Sequence, residues 1–168
     1  MKITFIQTGG TIDKEYPKIT KGYAFEIGEP AARRILEKIS PVFEYDIIPL
    51  LQKDSLDITE EDRQKILQEC KNSNSEKIVI THGTDTMIET AKVLSEIKNK
   101  TIVITGAMRP EKFSDSDAMF NLGLAIAAVQ TISGGVYITM NGKIYDWNKV
   151  KRDMESGQFI DDSDSTLR

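Results

Sequence analysis

Two runs in the middle of the chain, Ile78-Val79-Ile80 and Thr101-Ile102-Val103-Ile104-Thr105, are apolar and β-branched without a polar residue at every second position. A strand with one wet face alternates, whereas a strand covered on both faces does not. Segments of helical period separate these runs from each other and from three further strand candidates, Lys2 to Gln7, Glu44 to Leu51 and Val136 to Met140. Pro30 opens a helix that carries Ala31, Ile35, Leu36 and Ile39 on one face, since Pro is tolerated in a first turn. Thr59-Glu60-Glu61-Asp62 caps a second helix with an inner stripe of Ile66, Leu67 and Cys70. Ala91, Val93, Leu94 and Ile97 mark a third helix starting near Asp85, and Asp117 to Thr131, rich in Leu, Ala and Val, a buried fourth. Strands alternating with helices in this way predict a doubly wound, three-layer α/β sandwich with a mainly parallel five-stranded sheet, flavodoxin-like in order.

Size and charge narrow the function classes. A chain of 168 residues with 39% hydrophobic and 29% charged residues suits one domain with a core that needs no disulfide. The net charge of -4 gives no electrostatic footprint for nucleic acid or an anionic membrane. One Cys cannot form an intramolecular disulfide, and one Cys with one His cannot make a zinc site of the usual type. Met1 to Gln7 is too short before Gly9-Gly10 to serve as a signal peptide, and no apolar run approaches the ~20 residues of a membrane span. The expected location is the cytoplasm. The apolar pattern fades beyond Tyr145 and the chain ends in acidic and small residues, so the expected domain covers 1–152 and a flexible acidic tail 153–168.

Ligands of open parallel sheets bind outside the carboxyl ends of the strands. Those ends here carry Thr8-Gly9-Gly10-Thr11, Asp54-Ser55-Leu56-Asp57, Thr81-His82-Gly83-Thr84-Asp85-Thr86 and Gly106-Ala107-Met108-Arg109-Pro110. Each piece alone has a plain structural reading. Gly9-Gly10 makes a turn, His82 is a hydrogen-bonded residue after a buried strand, and Thr84 and Asp85 cap the next helix. Asp115-Ser116-Asp117 reads as a cap before a cation site, because hard cations want six or more oxygens. Neither phosphate-loop pattern, G-x-x-x-x-G-K-[ST] or G-x-G-x-x-G, occurs, and the nucleophile elbow G-x-S-x-G is absent. What stands out is that side chains from separate places in the sequence, hydroxyls and carboxylates among them, converge on one rim.

Taken in order and spacing, Thr8-Gly9-Gly10-Thr11-Ile12, His82-Gly83-Thr84-Asp85-Thr86-Met87 and Gly106-Ala107-Met108-Arg109-Pro110 resemble the bacterial-type L-asparaginase and glutaminase family. Asp117 through Phe120-Asn121-Leu122 extends the match, and Met140-Asn141 followed by Lys149 to Arg152 resembles the last catalytic segment. The resemblance covers nearly the whole chain but only the amino-terminal domain of the usual two-domain enzyme. It implies Thr11 as nucleophile, with Tyr23 as the loop tyrosine that hydrogen-bonds it and Tyr16 as a rival. It implies a second cluster of Thr84, Asp85 and a Lys, with Asp85 also meeting the substrate α-ammonium. Ser55 then binds the α-carboxylate, with Gly10, Asp54 and Gly83 lining the substrate site.

The position of the Lys stays open. A gapless count from Met140-Asn141 lands on Arg152, and one deletion lands on Lys151; a proton-shuttling role favours Lys151, since guanidinium does not readily deprotonate. Leu56 stands where the family often has a polar residue. The implied activity is hydrolysis of L-asparagine to L-aspartate and ammonia through a Thr11 acyl-enzyme, with no metal or organic cofactor. Two readings compete with it: a non-catalytic module that binds aspartate or asparagine, and an amidase for another small amide such as glutamine. A homodimer or higher homo-oligomer is the expected assembly, with the partner copy closing the site.

Overall fold

The computed structural model describes residues 1–17 and 24–162. In chain order the elements are β1 (Lys2–Gly9), β2 (Lys14–Glu15), β3 (Glu26–Ile27), α1 (Ala31–Ile39), β4 (Glu44–Lys53), α2 (Glu60–Asn72), β5 (Lys77–Thr81), α3 (Met87–Leu94) and β6 (Thr101–Thr105). They continue as α4 (Ala118–Thr131), β7 (Gly135–Met140), β8 (Lys143–Asp146), β9 (Val150–Arg152) and β10 (Phe159–Asp161). Single 3₁₀ turns at Thr11–Asp13 and Ser55–Asp57 follow β1 and β4.

The central sheet runs β4-β1-β5-β6-β7-β8, and all its pairs are parallel except β7 with β8. Alternate residues of the inner strands face opposite ways, so Ile78, Ile80, Ile102 and Ile104 pack toward α2 and α3 while Val79 and Val103 pack toward α1 and α4. Both faces are therefore dry, which is why these strands read as unbroken apolar runs. Helix α2 starts at a capping box: Asp62 N–H donates to Thr59 Oγ1 (3.2 Å) and Thr59 N–H to Asp62 Oδ2 (3.0 Å). No helix among the described residues is long and apolar enough to cross a membrane.

The sheet has six strands where the sequence pattern predicts five. The additional one, β8, returns antiparallel along β7 through Asn141-Gly142, whose φ values are 52° and 80°. Two consecutive positive φ values are what a two-residue hairpin turn needs, and Asn-Gly is the pair that supplies them most cheaply. The ordered chain also runs past residue 152. β10 pairs with β9, Phe159 is 2% exposed within the α2/α3-side core, and Tyr145 Oη donates to the Phe159 carbonyl at 2.6 Å. One buried aromatic anchors a segment too polar to show periodicity. Of the expected tail, residues 153–162 form this turn and strand, and 163–168 lie outside the described residues.

Chain order places the site. The crossover from β1 leads to β4 on one side, and the next leads back across to β5 on the other. The carboxyl ends of β1 and β5 therefore flank the point where strand order reverses, the usual ligand crevice of such sheets.

Candidate active site

Glycine lets the loops at that crevice touch backbone to backbone. Gly10 has φ 83°, and a Cβ on it would fall 2.3 Å from Gly83 Cα and N. A Cβ on Gly83 would fall 2.6 Å from Ser55 Cβ and Oγ. The Thr11, Thr84 and Ser55 turns are thus stacked on one another at distances that no side chain could share. Gly10 N–H also donates to the Lys53 carbonyl (2.9 Å), fastening the first turn to the end of β4.

Ser55 is fully buried and links the second and third turns. Its Oγ accepts from Asp85 N–H (3.2 Å) and donates to Asp85 Oδ2 (3.3 Å), and its carbonyl accepts from Thr86 Oγ1 (2.7 Å). Thr84 is buried and Thr11 half-buried. Asp54 pairs with Lys14 at 2.6 Å, and that hydrogen bond holds its carboxyl below the usual carboxylate range. Leu56, on the same turn, is 74% exposed and brings no polar group to the rim.

His82 lies beneath the Thr84 turn with no exposure. Its Nδ1 meets the Gly83 carbonyl (2.7 Å) and its Nε2 meets Thr90 Oγ1 (2.8 Å). A carbonyl only accepts, so Nδ1 carries the proton and the Thr90 hydroxyl donates to Nε2. Complete burial pushes the imidazole down to about 4. His82 is a neutral supporting group, as its position after a buried strand suggests. Asp117 supports the neighbouring loop in a comparable way. Its carboxylate accepts from Met108 N–H, Arg109 N–H and Asn121 Nδ2, closing the loop after β6.

Strand register decides which of the two basic side chains approaches Asp85. Val150 is buried in the core, so Lys151 faces the other side of β9 and Arg152 returns to Val150's side. Lys151 pairs with Asp162 at 3.4 Å. Arg152 NH1 pairs with Asp85, and Arg152 Nε donates to the Gly157 carbonyl (3.2 Å). The structure thus brings Arg152 to Asp85, following the gapless count, and carries Lys151 away from it.

Tyr23 lies outside the described residues. Tyr16 is 74% exposed and packs on Phe25 and Phe113, with ring centroids 5.1 and 6.4 Å away.

One residue of the site's framework has no sequence motif to announce it. Asp13 shares the turn of Thr11 and is wholly buried. Its Oδ1 accepts from Ala31 N–H at 2.7 Å, tying the turn to the start of α1, whose N-cap Pro30 has no side-chain cap to offer. Its Oδ2, Gln7 Oε1 and Thr81 Oγ1 are buried without partners among the described residues. Burial is the largest influence on Asp13 and pushes it up to about 7. The available signal is a helix opening on Gly28-Glu29-Pro30, which must borrow its cap from elsewhere.

A cavity of about 620 Å³ opens between α2 and α3, lined by Glu60, Arg63, Glu89, Lys92 and their neighbours. It is a charged groove between the two helices. The rim is the stronger candidate because three segments, those of Thr11, Ser55 and Thr84–Asp85, converge there with hydroxyls and carboxylates.

A doubly wound domain with Thr, Ser and Asp gathered at its switch point defines an α/β protein with a polar rim where ligands of such folds bind. Comparison with known proteins narrows that class. The asparaginase N-terminal family matches residues 2–158. L-asparaginase 2 of Escherichia coli is 30% identical over 164 residues, covering 89% of this chain and 46% of that protein. The glutaminase-asparaginase of Pseudomonas aeruginosa is 47% identical over 72 residues, covering 40% of this chain and 20% of its own length. Among solved structures, the thermostable L-asparaginase from Thermococcus kodakarensis superposes with a TM-score of 0.82 at 28% identity, covering 96% of this chain and 51% of that one. The chain belongs to the asparaginase N-terminal-domain family. It spans about half the length of the Escherichia coli and Thermococcus proteins.

Proposed function

We propose that the rim hydrolyses the side-chain amide of L-asparagine, giving L-aspartate and ammonia. The observation that carries this reading is the stacking of the Thr11, Ser55 and Thr84–Asp85 turns through Gly10 and Gly83. Preassembled groups spare the reaction the cost of gathering them. Thr11 Oγ attacks the carboxamide carbon, and its proton ends on the departing nitrogen as the C–N bond breaks. The acyl group is left as an ester on Thr11. Water then attacks that ester, the C–O bond to Thr11 breaks, and the hydroxyl is restored with the carboxylate product. Two moderate barriers replace one high one. Backbone N–H groups near Thr11 and Thr84 stabilise the developing oxyanion. Ser55, with Gly10, Asp54 and Gly83 around it, receives the α-carboxylate, and Asp85 receives the α-ammonium. Tyr23 assists the nucleophile.

Leu56 favours a second reading, an amidase with a changed side-chain preference, for which glutamine is the first candidate. Release of ammonia from asparagine, glutamine and a buffer blank tests both. Asparagine turnover above blank supports the first reading, glutamine-dominant turnover the second, and aspartate binding without turnover would show a binding module. The same proposal includes cytoplasmic residence and a homodimer whose second copy shields the substrate. Sedimentation equilibrium at assay concentration tests the dimer, and a fully active 18.9 kDa species would sink it.

A further inference from the structure

We infer that Arg152 is a positioning residue that works through Asp85 and exchanges no proton during turnover; this rests on the amide-hydrolysis reading above. Its guanidinium is a strut between two fixed points. At one end NH1 pairs with Asp85, whose carboxylate and N–H are both engaged by the fully buried Ser55 hydroxyl. At the other end Nε donates to the Gly157 carbonyl. Gly157 sits in the turn between β9 and β10, closed by Gly157 N–H to the Asp153 carbonyl and Asp153 N–H to the Gln158 carbonyl, both 2.8 Å.

That turn is rooted in the core. Phe159 lies opposite Arg152 in the ladder, is 2% exposed, and donates its N–H to Asn141 Oδ1 at 3.0 Å. Contacts therefore run unbroken from the core through the hairpin to Arg152, then Asp85, then Ser55. The two charged side chains remain 27% and 41% exposed, so solvent screens their attraction and orientation outweighs charge in what the pair contributes.

The chemistry of the side chain sets its limit. A guanidinium stays protonated in proteins and presents a planar fork, whereas a lysine amine is a point charge that titrates. A residue held by two hydrogen-bonding ends and unable to release a proton can aim Asp85 but cannot relay for water. The proton lost by the attacking water goes instead to the Thr11 oxygen as the ester opens. Lys151, the nearby amine, is engaged with Asp162 on the far side of β9.

The test compares wild type, R152K and R152A in ammonia release from L-asparagine between about pH 6 and about pH 10, with melting temperatures and calorimetric L-aspartate binding. R152K is expected to lose about tenfold in kcat at neutral pH and to gain an alkaline ionisation that wild type lacks. R152A is expected to lose about 50-fold in kcat/KM without a new ionisation, its melting temperature within about 3 °C of wild type. A pH profile of R152K that superimposes on wild type, or an R152A that keeps more than about a third of the activity, overturns the inference. Should wild type release no ammonia, the hydrolysis reading fails and aspartate binding decides this one. Affinity weakened at least about fivefold by R152A supports positioning, and an affinity unchanged by R152A overturns it.

Discussion

The β1–β5 rim and the β8–β10 segment deliver groups to the same site by opposite means. At the rim, glycine contacts and hydrogen bonds at Ser55 lock three turns together above the middle of the sheet. Between Lys143 and Asp162 the chain is mostly exposed, and Tyr145, Val150 and Phe159 hold it down. The rim is over-determined; the hairpin depends on single residues. The groups that would do chemistry therefore sit where the backbone cannot yield, and the supporting Arg152 hangs from a part that can be loosened without unfolding the sheet.

Gly10→Ala strikes the locked region and carries the largest expected effect. The new Cβ would enter Gly83 backbone at 2.3 Å from a residue at φ 83°, so the cost is about 3 kcal/mol or more, with activity down at least about 100-fold. Chemical denaturation and ammonia release measure the two losses; a variant as stable and active as wild type would refute the stacked-turn geometry. Phe159→Ala strikes the loose region. Removing a ring that is 2% exposed should cost about 3 kcal/mol and lower kcat through Arg152, while circular dichroism still reports the sheet. If stability falls and kcat holds, the hairpin does not position Arg152.

Asp13→Asn probes the underside of the rim. Burial raises the Asp13 carboxyl from 3.8 to about 7, so the folded state keeps a proton that the unfolded chain has released. Its contribution to stability is fully present below about pH 4, declines as pH rises toward about 7, and is then gone. Asn keeps an acceptor for Ala31 N–H without ionising. The variant should lose that slope and exceed wild type by about 2 kcal/mol at pH 8, as read by urea midpoints across pH. Parallel pH profiles for the two proteins would count against a protonated Asp13. The smallest effect belongs to Lys151→Ala, which removes a half-exposed partner of Asp162 and should change kcat/KM by less than about twofold. A tenfold loss would return the catalytic position to Lys151.

Much of this contrast is legible in the residues. Unbroken runs such as Ile78-Val79-Ile80 announce strands covered on both faces, and the structure places them so. The strand-end segments that carry Thr11, Ser55 and Thr84 share one rim because parallel strands end on one side. The hairpin is harder to read. Asn141-Gly142 is a strong turn signal, but Asn141 also fits the last catalytic segment of the family, and that match masks the turn into β8. Phe159 is one aromatic in a polar stretch, invisible to any periodicity. Arg152 is within reach: Val150 as the buried residue of a short strand puts 152 on its face and 151 on the other. Asp13 is not, because the Ala31 N–H that its carboxylate accepts from meets it only once the chain has folded.

The central claim is that Thr11 is the nucleophile of an amide hydrolysis, and the most direct measurement is ammonia release from L-asparagine by wild type and T11A, each with its melting temperature. Thr11 is half-buried in a surface turn, so losing its hydroxyl should leave melting within about 2 °C. Wild-type release above blank and at least about a 1000-fold loss in T11A are expected. A T11A protein that melts with wild type and keeps more than about a tenth of its rate would contradict that claim.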